Sequence, residues 1–452
     1  VSSNPQVYRM RNFFSAVIGK TVRQVARLRG GGSALPGLVV ERLDPGYLAR
    51  VLGQLPHGVV VVSGTNGKTT TTKMIVEMLE SRGLRVFTNR TGSNFSRGVI
   101  AAALQECSIS GKLDADVAVL ELDEAHAMYF IEQVKPRFTL LLNVLRDQLD
   151  RFGEIDTTAK LLQRIADATT EGLVVNREDR LVAEIGERTR TRKISPPRVR
   201  EFGLSNALLS TFPSDDDFHA GVAEVAGAVE RPDADVMLIE MDDREAVFRI
   251  DGQDFRAELQ LEGLYNIFNA AAALSTVRMV LQDSGLAAQA EGHRVETENK
   301  MLVSSLAEVR PAFGRGEKLV LDGQPLNLVL VKNPAGFRLA LASFDPDGVA
   351  VMIAINDQYA DGRDMSWLWD VDFTSLATRG VATVSGTRAW DMALRLEHDD
   401  VPVGSVQENL SEALREFCDA SVDQPRLIYC TYTAMLALRK ELAELTEVEN
   451  VW

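Results

Sequence analysis

Residues 58–70 read Gly58-Val-Val-Val-Val-Ser63-Gly64-Thr65-Asn66-Gly67-Lys68-Thr69-Thr70, and a helix-compatible stretch follows to Ser81. The opening run is almost wholly apolar, the pattern of a short strand buried on both faces of a parallel sheet. Gly64 and Gly67 let backbone N–H groups turn inward onto phosphate oxygens. Lys68 can bridge β- and γ-phosphates, and the Thr69 hydroxyl can bind Mg²⁺. The Gly-x-x-Gly-Lys-Thr spacing is shorter than the common phosphate loop. The strand before it and the helix after it therefore carry the nucleotide-binding reading, with Gly64, Thr65, Asn66, Gly67, Lys68, Thr69 and Thr70 as its residues.

Outward from this loop the chain alternates strand and helix. Leu84–Asn89, Val117–Leu122, Phe138–Val144 and Leu173–Asn176 are further strands with helical stretches between them. That order implies a doubly wound parallel sheet. The stretch near 196–243 differs, with four prolines, the run Ser214-Asp215-Asp216-Asp217 and no cysteine, and reads as an insertion of short strands. A hairpin around Asp251-Gly252 follows, then a helix that begins near Asn266 and Asn269. A second α/β unit starts near residue 295, with strands at Leu326–Val331, Val349–Ile355, Gly380–Ser385 and Arg426–Thr431. The expected domains are 1–49 (a basic helix and linker), 50–294 (the nucleotide domain) and 295–452.

Among 452 residues, Lys and Arg number 49 and Asp and Glu 64, a net charge of −15. This balance argues against wholesale binding to nucleic acid or an anionic membrane, and leaves room for a local basic patch. Residues 7–29 are such a patch. Val7, Met10, Phe14, Ile18, Val22, Val25 and Leu28 recur at helical steps among Arg9, Arg11, Lys20, Arg23, Arg27 and Arg29. This helix either packs on the next domain or docks on a membrane surface or partner. The interrupted apolar pattern is not that of a signal peptide, and no apolar run reaches the length of a membrane span. The expected protein is soluble and intracellular.

Cys107, Cys418 and Cys430 form no CxxC pair and the five histidines are scattered, so no zinc site is expected. Three further strings carry chemistry. Glu121-Leu122-Asp123-Glu124 ends a buried strand, where a Mg²⁺ ligand is needed, and His126 lies close by. Asn143 to Gly153, with Asp147, Gln148 and Asp150, follows another strand end. Tyr265-Asn266-Ile-Phe-Asn269 sets two amides on one helix face, able to read the edge of adenine.

Together these strings resemble the Mur ligase family, whose members share GTNGKT, a Glu after a later core strand, an N-x-x-x-D-H-L-D segment and an H-N-x-x-N helix start. Here Gln148 and Tyr265 replace the two histidines, and the position of the often carbamylated lysine falls near Gln163, with Lys160 out of register. Mur peptide ligases place a UDP-sugar-binding domain before the phosphate loop, and Gly64 arrives too early for one. Lys332-Asn333-Pro334-Ala335-Gly336, Asp361-Gly362-Arg363-Asp364-Met-Ser366-Trp367-Leu-Trp369-Asp370 and Ser385-Gly386-Thr387-Arg388 are similar to the MurT family within that group.

The resemblance implies an α/β protein: a Mur ligase-type central P-loop domain with a parallel sheet, plus a Rossmann-like α/β C-terminal domain. It implies ATP and Mg²⁺ as cofactors, with Thr69 and Glu121 holding the metal, Lys68 and Glu121 catalytic, and Arg315 reaching the phosphates. It further implies amidation of the D-Glu α-carboxylate of lipid II through an acyl phosphate, at the inner face of the cytoplasmic membrane. The ammonia would come from a GatD-like glutamine amidotransferase subunit, whose catalytic triad Asp364 would complete. Many relatives carry a four-cysteine zinc ribbon in the middle domain, which this chain lacks. Two rival readings are a stand-alone Mur- or folylpolyglutamate-type amino-acid ligase and a non-catalytic nucleotide-binding scaffold.

Overall fold

A computed structural model of the chain describes residues 5–28, 35–89, 96–145, 155–211 except Lys193, 233–260 except Asp243, 264–283, 293–309 and 315–448 except Asp345. Three helices, α1 (Pro5–Leu28), α2 (Leu35–Leu43) and α3 (Tyr47–Leu52), precede the first strand. The first sheet contains β1 (Val59–Ser63), β2 (Val86–Thr88), β3 (Val117–Glu121), β4 (Phe138–Leu141), β5 (Gly172–Asn176), β6 (Arg198–Leu204), β7 (Val236–Asp242), β8 (Glu245–Ile250) and β9 (Gln253–Glu258). Its order is β2-β3-β1-β4-β5-β6-β7-β8-β9. Pairing is parallel from β2 to β7 and antiparallel through the β7–β8–β9 meander.

Every residue of β1 is buried, as the run of four valines requires of a strand with helices on both faces. One face carries α4 (Lys68–Ser81), α9 (Leu264–Asp283) and α10 (His293–Ala307). The other carries α2, α3, α5 (Ser96–Glu106), α6 (Glu124–Gln133), α7 (Ile155–Ala168) and α8 (Arg180–Arg190). Segment Leu264–Gln282 is long and apolar enough to cross a membrane, but it is largely buried in this core, as expected of a helix apolar on all sides.

The second sheet runs β10 (Arg315–Leu321), β11 (Gln324–Leu330), β15 (Arg426–Cys430), β12 (Ala350–Ala354), β13 (Val381–Ser385), β14 (Val403–Gln407). Only β10 is antiparallel to its neighbour. Helices α11 (Pro334–Ser343) and α12 (Ala389–His398) cover one face, α13 (Leu410–Ala420) and α14 (Tyr432–Leu442) the other.

The domain expectation needs three corrections. Residues 35–49 are not a linker, since Val40, Tyr47 and Leu48 are buried in the first core. The described part of 196–243 is not a separate insertion, because β6 and β7 continue the main sheet; residues 212–232 lie outside the described ones. The second unit begins past residue 295, as Leu302, Val303, Leu306 and Val309 of α10 and its exit join the first core.

Candidate active site

The strand order explains why motifs far apart in sequence meet. β1 lies between β3 and β4, so the loop after β1 is flanked by the carboxyl ends of both. Ligands of doubly wound sheets bind at that edge. Gly64 and Gly67 adopt φ values of +130° and +86°. A Cβ at Gly67 would stand 2.6 Å from the Asn269 amide nitrogen, so α9 begins directly against the loop. Asn143, just past β4, clamps the loop: it accepts from the Asn66 N–H at 2.8 Å and donates to the Asn66 carbonyl at 3.1 Å. The Thr65 N–H donates to the Asn143 carbonyl at 3.0 Å.

Lys68 is buried, donating to the Gly64 carbonyl and, at 3.1 Å, to the Thr65 carbonyl. Its ammonium also stands 3.8 Å from the buried Glu124 carboxylate. Thr69 donates its hydroxyl to Glu121 Oε1 at 2.9 Å. Thus the two residues expected to hold Mg²⁺ touch. Hard oxygen donors of this kind suit Mg²⁺, which takes few protein ligands and keeps water and phosphate oxygens. The Thr70 hydroxyl is buried without a hydrogen-bond partner among the described residues, as a donor reserved for a ligand would be. The residues therefore fit a magnesium nucleotide.

Asp123 caps α6 through the Ala125 N–H and meets His126 Nδ1 at 3.2 Å. Burial would raise its carboxyl, but the His126 ring, the Lys68 charge and the Ala125 N–H outweigh that and hold it below the usual carboxylate range. His126 thus orients a capping carboxylate at the rim. Asn89, just past β2, donates to the Glu121 carbonyl at 2.9 Å and accepts from its N–H at 3.0 Å. Sequence reasoning missed Asn89; its place one residue beyond a strand end was the available signal.

Asn266 and Asn269 both lie in the first turns of α9, with Asn269 buried against Gly67. Arg315 opens β10 opposite Val329, in a strand rather than a free loop, and its side chain lies outside the described residues. So do Asp147, Gln148 and Asp150. Asn333 was not singled out for this site, yet it reaches the loop. Asn66 and Asn333 exchange amide hydrogen bonds at 3.0 and 3.3 Å. Asn333 also caps α11 by accepting from the Gly336 N–H. The carboxyl edges of both sheets therefore meet at this pair.

On the second sheet's edge, Asp361 is buried, accepting from the Thr433 N–H at 2.7 Å and the Gln358 N–H at 3.0 Å. Asp357 pairs with Arg388 at 2.9 Å. Asp364 is half-buried and accepts from the Ser366 N–H at 2.9 Å. Its bonds with Ser366 hold its carboxyl below the usual range. Trp367 of the same string is buried in the core, while Trp369 is exposed. The string buries one indole and presents the other to solvent.

Two family models match the chain: the Mur ligase middle domain over residues 62–277 and the MurT ligase C-terminal domain over 330–435. Lipid II isoglutaminyl synthase (glutamine-hydrolyzing) subunit MurT from Streptococcus pneumoniae is 29% identical over 96% of this chain and 97% of that protein. The subunit of the same name from Staphylococcus aureus is 28% identical over 88% of this chain and 90% of that one. Among solved structures, MurF from Acinetobacter baumannii superposes with a TM-score of 0.65 at 20% identity, covering 89% of this chain and 80% of that one. MurF ligase from Thermotoga maritima in complex with ADP gives 0.61 at 15% identity, over 89% and 84%. These structures share the fold.

Proposed function

This chain belongs to the MurT branch of the Mur ligase family, and on that premise we propose that it is the synthetase subunit of a glutamine-dependent ligase that amidates lipid II. The chain is an ATP-dependent ligase. The observation that carries the finer reading is the junction of an intact phosphate site with a MurT-type domain through Asn66 and Asn333.

An oxygen of the D-Glu α-carboxylate attacks the γ-phosphorus of ATP, the bond to ADP breaks, and an acyl phosphate forms. Ammonia then adds to the acyl carbon, phosphate leaves with the bonding pair, and the nitrogen loses a proton to give D-isoglutamine. Phosphoryl transfer asks for positioning and charge neutralisation more than covalent help. The loop from Gly64 to Thr70 would cradle the phosphates, with Lys68 supplying charge at the migrating group. Thr69 and Glu121 would hold Mg²⁺, whose chemistry is to neutralise phosphate oxygens. Asn266 and Asn269 would face the base, and Arg315 would approach the phosphates from the second domain.

The ammonia comes from a partner in this reading. Glutamine hydrolysis needs an activated thiolate. All three cysteines are buried. Cys107 meets the Tyr47 hydroxyl at 3.3 Å, and burial pushes the Cys418 thiol up to about 11. The partner is a GatD-like glutamine amidotransferase, docked at the second sheet's carboxyl edge. Tyr359 and Trp390 are 78% and 63% exposed there, the kind of aromatic side chain that interfaces use. The resemblance to MurT gives Asp364 the role of orienting a partner histidine. Its carboxylate is half-buried and engaged only by the neighbouring Ser366 among the described residues, whereas Asp357 pairs with Arg388 and Asp361 is buried against Thr433. The substrate places the enzyme at the inner face of the cytoplasmic membrane.

The test is turnover by the purified chain with ATP, Mg²⁺, lipid II and ammonium. Conversion of the carboxyl to a carboxamide, with none from glutamine alone, is the expected result. Addition of an amino acid, or no product from ammonium, would refute the proposal.

A further inference from the structure

Helix α1 is turned the wrong way round for an ordinary surface helix. Its inward face is polar or small: Asn12, Ser15, Ala16 and Gly19 are buried. Asn12 accepts from Arg50 Nε at 2.9 Å, and Ser15 donates to Asp44 at 2.6 Å. Gly19 is needed where it sits, since a Cβ there would fall 2.6 Å from Leu104. These contacts fix the rotation of the helix. Its outward face carries Met10, Phe13, Phe14, Val17, Ile18 and Val25, each 37–59% exposed. Steps of three and four place them in one stripe. The stripe continues onto Leu43 of α2, 64% exposed, beside a groove of about 200 Å³ whose walls are Phe14, Ile18, Val40 and Leu43 with Arg11, Ser15 and Asp44.

Charge decides what covers the stripe. Residues 1–40 hold six basic side chains (Arg9, Arg11, Lys20, Arg23, Arg27, Arg29) and no acidic one. The other 412 residues therefore carry 43 − 64 = −21. The acids nearest the helix are neutralised, Asp44 by Arg50 and Arg11, Glu41 by Arg97. An acidic body is repelled by an anionic bilayer, so a lone basic segment sets the face that approaches. Apolar residues flanked by basic ones are what an interfacial helix presents to headgroups and acyl chains. We propose that α1 lies in the plane of an anionic membrane surface, its stripe from Met10 to Val25 entering the acyl boundary.

The test is co-sedimentation of the full chain with vesicles of equal parts phosphatidylglycerol and phosphatidylcholine, and with phosphatidylcholine alone. Binding should be at least about tenfold tighter on the anionic vesicles and should weaken with salt. The double variant Phe14→Asp/Ile18→Asp should bind at least about tenfold more weakly, because both charges enter the apolar boundary. Leu445→Asp, an exposed leucine elsewhere, should bind as the wild type does. An unchanged melting temperature shows that the double variant folds. Wild-type binding by that variant, or no sedimentation of the wild type, would overturn the proposal. A soluble dimer that the variant dissociates would assign the stripe to a second copy and overturn it too. Vesicle binding needs neither ATP nor lipid II, so this proposal and the amidation reading fail separately.

Discussion

The two sheets offer their carboxyl edges in the same way and use them differently. At the first edge, two left-handed glycines shape a loop against Asn143 and Asn269, and the buried Thr70 hydroxyl has no partner among the described residues. At the second edge most polar groups bind each other: Asn356 accepts from Thr387 and donates to Thr433, and Asp361 holds Thr433 and Gln358, while the buried Ser385 hydroxyl has no partner among the described residues. What that edge shows to solvent is aromatic, as at Tyr359, Trp390 and Tyr432. On the proposed reading, one topology serves a nucleotide at the first edge and a protein partner at the second. The difference lies in the lysine-bearing glycine loop of the first edge and the exposed aromatic side chains of the second.

The comparison breaks most visibly at Lys68. Replacing it with alanine should lower ATP-dependent turnover by roughly 10³-fold or more, because the charge acts on the migrating phosphoryl group. Its melting temperature should fall as well, because the buried Glu124 carboxylate loses its cation, and steady-state kinetics on the folded variant separate the two effects. Asp361→Ala should act on stability and leave ATP-dependent turnover of the folded protein near wild type. It removes the buried acceptor of the half-buried Thr433 N–H and of the Gln358 N–H, so unfolding in urea should show a loss of about 1–3 kcal/mol. Glu121→Gln should cut turnover by about 10²-fold and shift the magnesium titration upward, while the amide can still accept from Thr69 and spare the fold. The smallest effect is expected where the edges meet. A double-mutant cycle of Asn66→Ala and Asn333→Ala should give a coupling of about 0.5–1.5 kcal/mol in nucleotide binding, and additive effects would mean the edges act independently.

The first edge was legible because each motif follows an apolar run that can only be a buried strand. Val59–Val62 and Val117–Leu120 declare themselves in this way. Strands without such runs were not legible. β6 begins Arg198-Val-Arg200, and its buried Arg200 is bound to Gln282, a partner that lies far along the chain. β14 reads Val-Gly-Ser-Val-Gln and lies at a sheet edge, where burial demands little. The amphipathic pattern of α1 was visible, but a period of 3.6 shows that a helix has an apolar face without showing which way it turns. Asn89 and Asn333 escaped because an asparagine beyond a strand looks like any turn residue until its neighbour strand is known.

The division of labour between the edges is tested most directly at Asp364, in the complex with the proposed glutaminase subunit. Asp364→Asn removes the charge and keeps the size, and the amide oxygen can still accept from the Ser366 N–H that the carboxylate now caps. Amidation should be followed with glutamine and, separately, with ammonium as nitrogen source. The account predicts a loss of about 10²-fold or more with glutamine and a near-wild-type rate with ammonium, since the aspartate would orient the partner's imidazole and not this chain's own phosphate site. Equal losses with both nitrogen sources, or no loss with either, would contradict it.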